Sequence, residues 1–303
     1  MSPEQLADTA ARHAVPLLLA IAACTLAGTA VVWHLVHRYG YIPWRWTMAA
    51  WQWLAAHRHI RRVGRAPVIG PLATRSLSLG RYLGLYAIAA FAVALGGFAI
   101  FFEVVDEIGV DEDLARFDAA LAAALRSQLG RGVLELFAAI THLGDVWFLV
   151  VVATLVALVL LLRGQRLLAL IWAIGTGSGA LLNRLLKAVF ERARPLHDHG
   201  VAVADGFSFP SGHASGSMLV YGLLGYLIVI NSPRAWHIPI AASCAALVVF
   251  VGFSRVMLQV HYFSDVLAGY ATGAAWVALC IGGMETIRWR VQQRARTDTA
   301  SVA

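Results

Sequence analysis

Apolar runs alternate with short polar breaks along nearly the whole chain, and seven of the runs read as membrane-spanning helices. They fall at about Val15–Val36, Tyr82–Phe102, Val146–Leu162, Leu167–Val189, Ala214–Ile230, Ile238–Gly252 and Tyr262–Ile287. A different period appears at 111–129. There Leu114, Phe117, Leu121, Leu125 and Leu129 recur every three or four residues, which predicts an amphipathic helix packed along a membrane face, capped by Asp111 or Asp113. Tyr41 to Ala56 carries Trp44, Trp46, Trp51 and Trp53. Indole rings favour headgroup depth, so this stretch predicts an interfacial helix or a Trp-anchored linker. Arg58, Arg61, Arg62, Arg65, Arg75 and Arg81 follow, with Pro67, Gly70 and Pro71 expected to break any helix between them.

The composition agrees with the pattern. The 303 residues are 59% hydrophobic and only 14% charged, against roughly 25% charged in soluble domains. The mean hydropathy is +0.70. An all-α, polytopic membrane helical bundle is the fold class these values support. The net charge of +7 does not point to nucleic acid, because the Arg residues sit in short clusters between apolar runs, where orientation signals belong. Arg38 to Arg81, Arg163 with Arg166, Arg234, and Arg288, Arg290, Arg294 and Arg296 all mark inner loops. Glu103 to Asp113 is acidic and is assigned to the outside, so the N-terminus is outside and the C-terminus inside. Residues 1–13 hold Glu4, Asp8 and one Arg; without a positive leader, the first apolar run is read as a retained helix. Cys24, Cys244 and Cys280 lie in apolar runs and read as packing, while Gly175, Gly177 and Gly179 permit close helix approach.

Three polar clusters interrupt the second half of the chain. They are Lys187 to Arg194-Pro195, then Pro210-Ser211-Gly212-His213, then Ser254-Arg255 with His261 and Asp265 beyond. Each lies at the outer end of a span, so the three converge. Lys187, Arg194 and Arg255 supply cations for phosphate oxygens, Arg gripping two at once. His261 and Asp265 are four apart, which on a helix places both on one face. The carboxylate then fixes the imidazole tautomer and leaves the other nitrogen free as a nucleophile. Pro210 suits a helix start, the Ser211 and Gly212 amides form an anion nest, and His213, one turn in, is placed to protonate a leaving oxygen. Ionisable groups inside a membrane protein are functional by default. Asp145 is most simply the N-cap of the following span, with a substrate-facing role for His142 or Asp145 the lesser reading. Arg184, Glu191, Arg192, His197, Asp198, His199 and Asp205 read as ordinary loop or helix-end residues, and His197 with His199 makes no convincing metal site.

These residues resemble the three-part signature of the type-2 phosphatidic acid phosphatase superfamily, Lys-x6-Arg-Pro, Pro-Ser-Gly-His and Ser-Arg-x5-His-x3-Asp, with no departure in type or spacing. The resemblance covers about residues 82–287 and implies a six-helix phosphatase core. Residues 1–81 are then an extension with one further transmembrane helix, and 288–303 a basic inner tail. It implies a metal-independent, cofactor-free lipid phosphate or diphosphate phosphohydrolase working through a phosphohistidine. His261 is its nucleophile, Asp265 orients it, His213 is the general acid, and Lys187, Arg194, Ser211, Gly212 and Arg255 bind the phosphate. The implied substrates are phosphatidate, phosphatidylglycerol phosphate or undecaprenyl diphosphate. The implied setting is a bacterial inner membrane with a periplasmic site. Phosphotransfer to a second lipid, or a non-catalytic lipid-binding role, are the alternatives.

Overall fold

The computed structural model describes residues 2–12, 70–109, 112–196 and 200–302, and side chains within 2–12 and 89–288. The apolar run at Val15–Val36 and the Trp-rich stretch lie outside the described residues. Among the described residues nine α-helices follow in order: α1 (Pro3–Arg12), α2 (Gly70–Glu107), α3 (Asp113–Gln128), α4 (Arg131–Thr141), α5 (Val146–Leu162), α6 (Arg166–Phe190), α7 (Gly212–Ile230), α8 (Arg234–Met257) and α9 (Phe263–Val302). A 3-10 turn, His142–Gly144, joins α4 to α5.

Six segments among the described residues are long and apolar enough to cross a membrane: Ala89–Glu107, Arg131–Leu162, Arg166–Phe190, Gly212–Ile230, Arg234–Met257 and Phe263–Arg288. Their outward faces are apolar too. Val146, Trp147, Val150, Leu155 and Leu162 on α5, and Ile174, Leu181 and Leu185 on α6, are exposed. A helix apolar all round, with its backbone bonds closed internally, is at home in hydrocarbon. The protein is an integral membrane helical bundle.

The sequence expectations need three corrections. Gly70 and Pro71 do not break a helix; they begin α2, where Pro costs no hydrogen bond. The division expected before Tyr82 therefore falls inside a continuous helix. The sequence pattern also gave no warning of α4, which buries Leu134, Phe137 and Thr141 on one side.

α7 is the central helix, packed by α5, α6, α8 and α9. Small residues set these distances. A Cβ on Gly269 of α9 would stand 2.7 Å from the Ser211 carbonyl, so glycine is what lets α9 press on the start of α7. Gly175 likewise admits the Cys280 sulfur, but Gly177 faces open space. Trp172, Leu219, Leu223, Val248 and Met284 fill the middle of the bundle. Leu121, Leu125, Phe137, Val256, Leu258 and Val260 fill the end under α3, and α1 packs on α3 there. At the opposite end the buried Glu285 carboxylate accepts from Tyr226 Oη and from Arg288 Nη1, which joins α7 to α9.

Candidate active site

α6 ends at Glu191, whose φ of 45° is left-handed and turns the chain away from the helix axis. Lys187 projects from the last turn and donates to the carbonyls of Phe207 and Ser208. Arg194 lies beyond the turn. Its Nε donates to Gly206 O at 2.9 Å, and its Nη2 to Asp205 O at 3.0 Å and Phe207 O at 3.2 Å. The backbone of 205–208 is thus a rack of carbonyls that holds two cations side by side. Arg194 Nη1 also reaches Val260 O at 2.6 Å and His261 Nε2 at 3.2 Å.

His261 is not on a helix with Asp265, as its spacing had suggested. It precedes α9, in a tight turn where Gln259 takes a left-handed φ of 53° and the His261 amide donates back to Arg255 O at 3.3 Å. Asp265 sits in the first turn of α9 and is fully buried. Its Oδ2 lies 3.3 Å from His261 Nδ1 and accepts from Ser208 Oγ at 2.7 Å and Tyr262 N at 2.9 Å. With Nδ1 donating to this carboxylate, Nε2 keeps its lone pair and faces the cations. Burial pushes the His261 imidazole down to about 3, more than Asp265 can pull it back. A neutral, oriented imidazole of this kind is a competent nucleophile.

Ser211 is the N-cap of α7, its hydroxyl accepting from Ala214 N at 3.5 Å. The Ser211 amide donates to Asp265 O at 2.9 Å, so it is committed to the second and third clusters' junction rather than open to an anion. Pro210 stands before the cap, not within the helix, and its peptide bond with Phe209 is cis. Gly212 and His213 then open the helix, where N–H groups favour an anion. A Cβ on Gly212 would come within 3.2 Å of Asn183 Oδ1. His213 is the second residue of the helix rather than one turn in.

Arg255, in the last turn of α8, is 5% exposed. Its Nη1 donates to Thr141 Oγ1 at 2.8 Å, while its Nε is buried with no partner among the described residues. A buried guanidinium N–H left open is a place for a phosphate oxygen.

Four further residues belong to this site: Asp118 and Ser208, which the sequence did not single out, and Arg192 and Asp145, for which the ordinary reading was preferred. Arg192 is no ordinary loop residue: Nη1 donates to Asp265 Oδ1 at 2.8 Å and Ser264 Oγ at 2.7 Å, and Nη2 to Asp118 Oδ2 at 3.0 Å. Asp118 lies on α3 and is 1% exposed; Oδ1 also accepts the Ser264 amide at 3.1 Å. Burial pushes its carboxyl above the ordinary range, and Ser264 and Arg192 pull the other way. Ser208 is described above. Asp145 holds the N-cap position of α5, but its side chain makes no cap bond. Oδ1 lies 2.9 Å from His213 Nε2, and Oδ2 lies 2.8 Å from His142 Nδ1 and accepts from Trp147 Nε1 at 3.2 Å. His197, Asp198 and His199 lie outside the described residues.

Below the polar cluster an apolar cavity of about 420 Å³ runs between α5, α6 and α7. Leu149, Ala153, Trp172, Gly177 and Leu219 line it, and its upper wall includes Asn183, Gly212 and Ser215. Val146 and Val150, both exposed on the apolar outer face of α5, are part of its lining.

Six apolar spans carry this cluster of cations, imidazoles and carboxylates at one end, and comparison with known proteins makes the chain a membrane phosphatase. The chain belongs to the PAP2 superfamily, whose model matches residues 166–289. It is 34% identical over 157 residues to phosphatidylglycerophosphatase B of Bacillus subtilis, covering 51% of this chain and 76% of that protein. It is 30% identical over 183 residues to decaprenylphosphoryl-5-phosphoribose phosphatase of Mycobacterium tuberculosis, covering 57% of this chain and 94% of the other. The crystal structure of a transmembrane PAP2 type phosphatidylglycerolphosphate phosphatase from Bacillus subtilis superposes with a TM-score of 0.59 at 28% identity. The superposition covers 64% of this chain and 96% of that one.

Proposed function

We propose that this chain hydrolyses a lipid phosphate monoester in the membrane through a phosphohistidine on His261. The observation that carries the reading is that the apolar cavity extends to Gly212, the residue beside His213 in the polar cluster. A lipid phosphate has the same two halves. Lys187, Arg194 and Arg255 hold the phosphate, with the Gly212 amide and the Ser211 cap at the helix start. His261 Nε2 attacks phosphorus as the bond to the lipid oxygen breaks, and His213 gives that oxygen a proton. Water then attacks the P–N bond, His213 takes its proton, and phosphate leaves. The cations and amides gather the charge that builds up on the phosphoryl oxygens, which makes them the main source of rate.

The acidic residues of the α2–α3 segment and the Arg-rich opposite ends support a site on the periplasmic face of a bacterial inner membrane.

The test is phosphate release from a panel of lipid phosphates in detergent, with excess EDTA, for wild type and His261→Ala. Release that survives EDTA and disappears in the variant supports the reading. Release lost to EDTA alone would refute it, and phosphate moved to an added acceptor lipid instead of water would convert it to phosphotransfer.

A further inference from the structure

The catalytic imidazole with an assigned carboxylate is His261, but the second imidazole has one too. Asp145 Oδ1 lies 2.9 Å from His213 Nε2. The two residues come from different helices, 68 positions apart, so the contact is built by the fold and not by local sequence. Asp145 stands at the first position before α5, yet its oxygens ignore the helix amides they are placed to cap. They go instead to His213, His142 and Trp147. A Cβ on Gly144 would stand 2.4 Å from Val251 Cγ1 and 2.9 Å from His213 Cδ2, so glycine lets the turn lie against both α8 and this ring. Tyr221 Oη donates to Leu143 O at 2.5 Å and fixes the same turn to α7.

From this geometry we infer that Asp145 is a positioning residue for the general acid: it fixes the His213 tautomer and balances the imidazolium. The inference rests on the proposed phosphohydrolase reading. Nε2–H donates to the carboxylate, which leaves Nδ1 as the nitrogen that exchanges the proton. The guanidiniums of Arg255 and Arg194 act against an imidazolium at this ring, and Asp145 is the carboxylate that opposes them. In the first step the Nδ1 proton passes to the lipid oxygen as the P–O bond breaks, and His213 is left neutral. In the second, Nδ1 takes a proton from the water that attacks the phosphohistidine. Asp145 keeps its own charge throughout. His142, 65% exposed at the side chain, and Trp147 hold the other carboxylate oxygen and stop it rotating.

The test separates leaving groups. A lipid alkoxide needs a proton as it departs, whereas a nitrophenolate of matched chain length does not. The quantity to measure is kcat/KM, which covers the steps up to release of the alcohol. Asp145→Asn, nearly isosteric at a helix start, is expected to lose ~100-fold with the alkyl ester and little with the aryl ester, since a general acid contributes about 10²–10⁴-fold. His213→Ala is expected to show the same selectivity, and adding Asp145→Asn to it to cost nothing further. Asp145→Ala gives a second reading of the same ratio if the amide variant folds poorly. Equal losses on both esters, or none, would overturn the inference while leaving the hydrolase reading intact. A wild type that cleaves neither ester would overturn both.

Discussion

Arg192 Nη1 donates to Asp265 Oδ1 at 2.8 Å. The same guanidinium reaches Asp118 on α3 through Nη2 at 3.0 Å. One cation therefore ties the amphipathic helix at the bundle end to the carboxylate that contacts His261 Nδ1. Both carboxylates are fully buried at the side chain, and Arg192 itself is 16% exposed.

Removing that cation strands two buried acids. Arg192→Ala is expected to cost ~3 kcal/mol, as the loss of one partner from a buried pair does. Arg192→Lys keeps the charge but cannot fork between two carboxylates, and is expected to fall between it and wild type. Thermal unfolding in detergent measures both. A midpoint for Arg192→Ala close to wild type would show that the pair contributes no net stability.

The His261 ring gives a pH signature. Its folded value, about 3, lies below the ordinary histidine value of 6.5. A depressed folded value means the stability is fully present above about pH 6.5 and is lost as pH falls from there toward about 3. The loss is on the order of 3–5 kcal/mol across that window. His261→Gln, with no proton to take up, is expected to lose this part of the acid dependence. Parallel stability–pH curves for the two proteins would contradict the buried neutral imidazole.

Gly177 lines the apolar cavity, and a Cβ there would meet nothing within 4 Å. Gly177→Phe is therefore expected to fill the cavity without moving a helix. Displacing about two methylenes of substrate chain forfeits ~1.6 kcal/mol, or roughly tenfold in KM. The rise should appear for long-chain lipid phosphates and not for short-chain ones. A uniform change across chain lengths would place the chain elsewhere.

Arg255 has one buried N–H without a partner among the described residues. Arg255→Lys removes that donor and the fixed fork. An expected loss of ~100-fold in kcat/KM, with weaker inhibition by inorganic phosphate, follows from deleting one donor to a developing oxyanion. Phosphate inhibition unchanged in the variant would separate Arg255 from the anion.

The three clusters were legible because they are dense, spaced like helix ends and set in apolar sequence. What holds them was not. Asp118 is a single acid, and its partners Arg192 and Ser264 are 74 and 146 residues away in sequence. A signal did exist: Asp118 lies within the stripe of Leu114, Phe117, Leu121 and Leu125, and a carboxylate in an apolar stripe requires a buried partner. Asp145 was masked by its N-cap position, where Asp is common for a local reason. The His261–Asp265 pairing was anticipated by an i,i+4 helix face, but the contact is made by a left-handed turn at Gln259 and the first turn of α9. The contact was right and its geometry was not, because a spacing of four does not say whether a helix has begun.

Val146 and Val150 line the apolar cavity and are exposed on a helix apolar enough to cross a membrane. A substrate that enters there is supplied by diffusion in a plane. Its governing concentration is a mole fraction among neighbouring lipids, so diluting the substrate with inert lipid or detergent lowers the rate even when its amount per volume is constant. Adding buffer at a fixed lipid ratio, by contrast, leaves each enzyme's turnover unchanged.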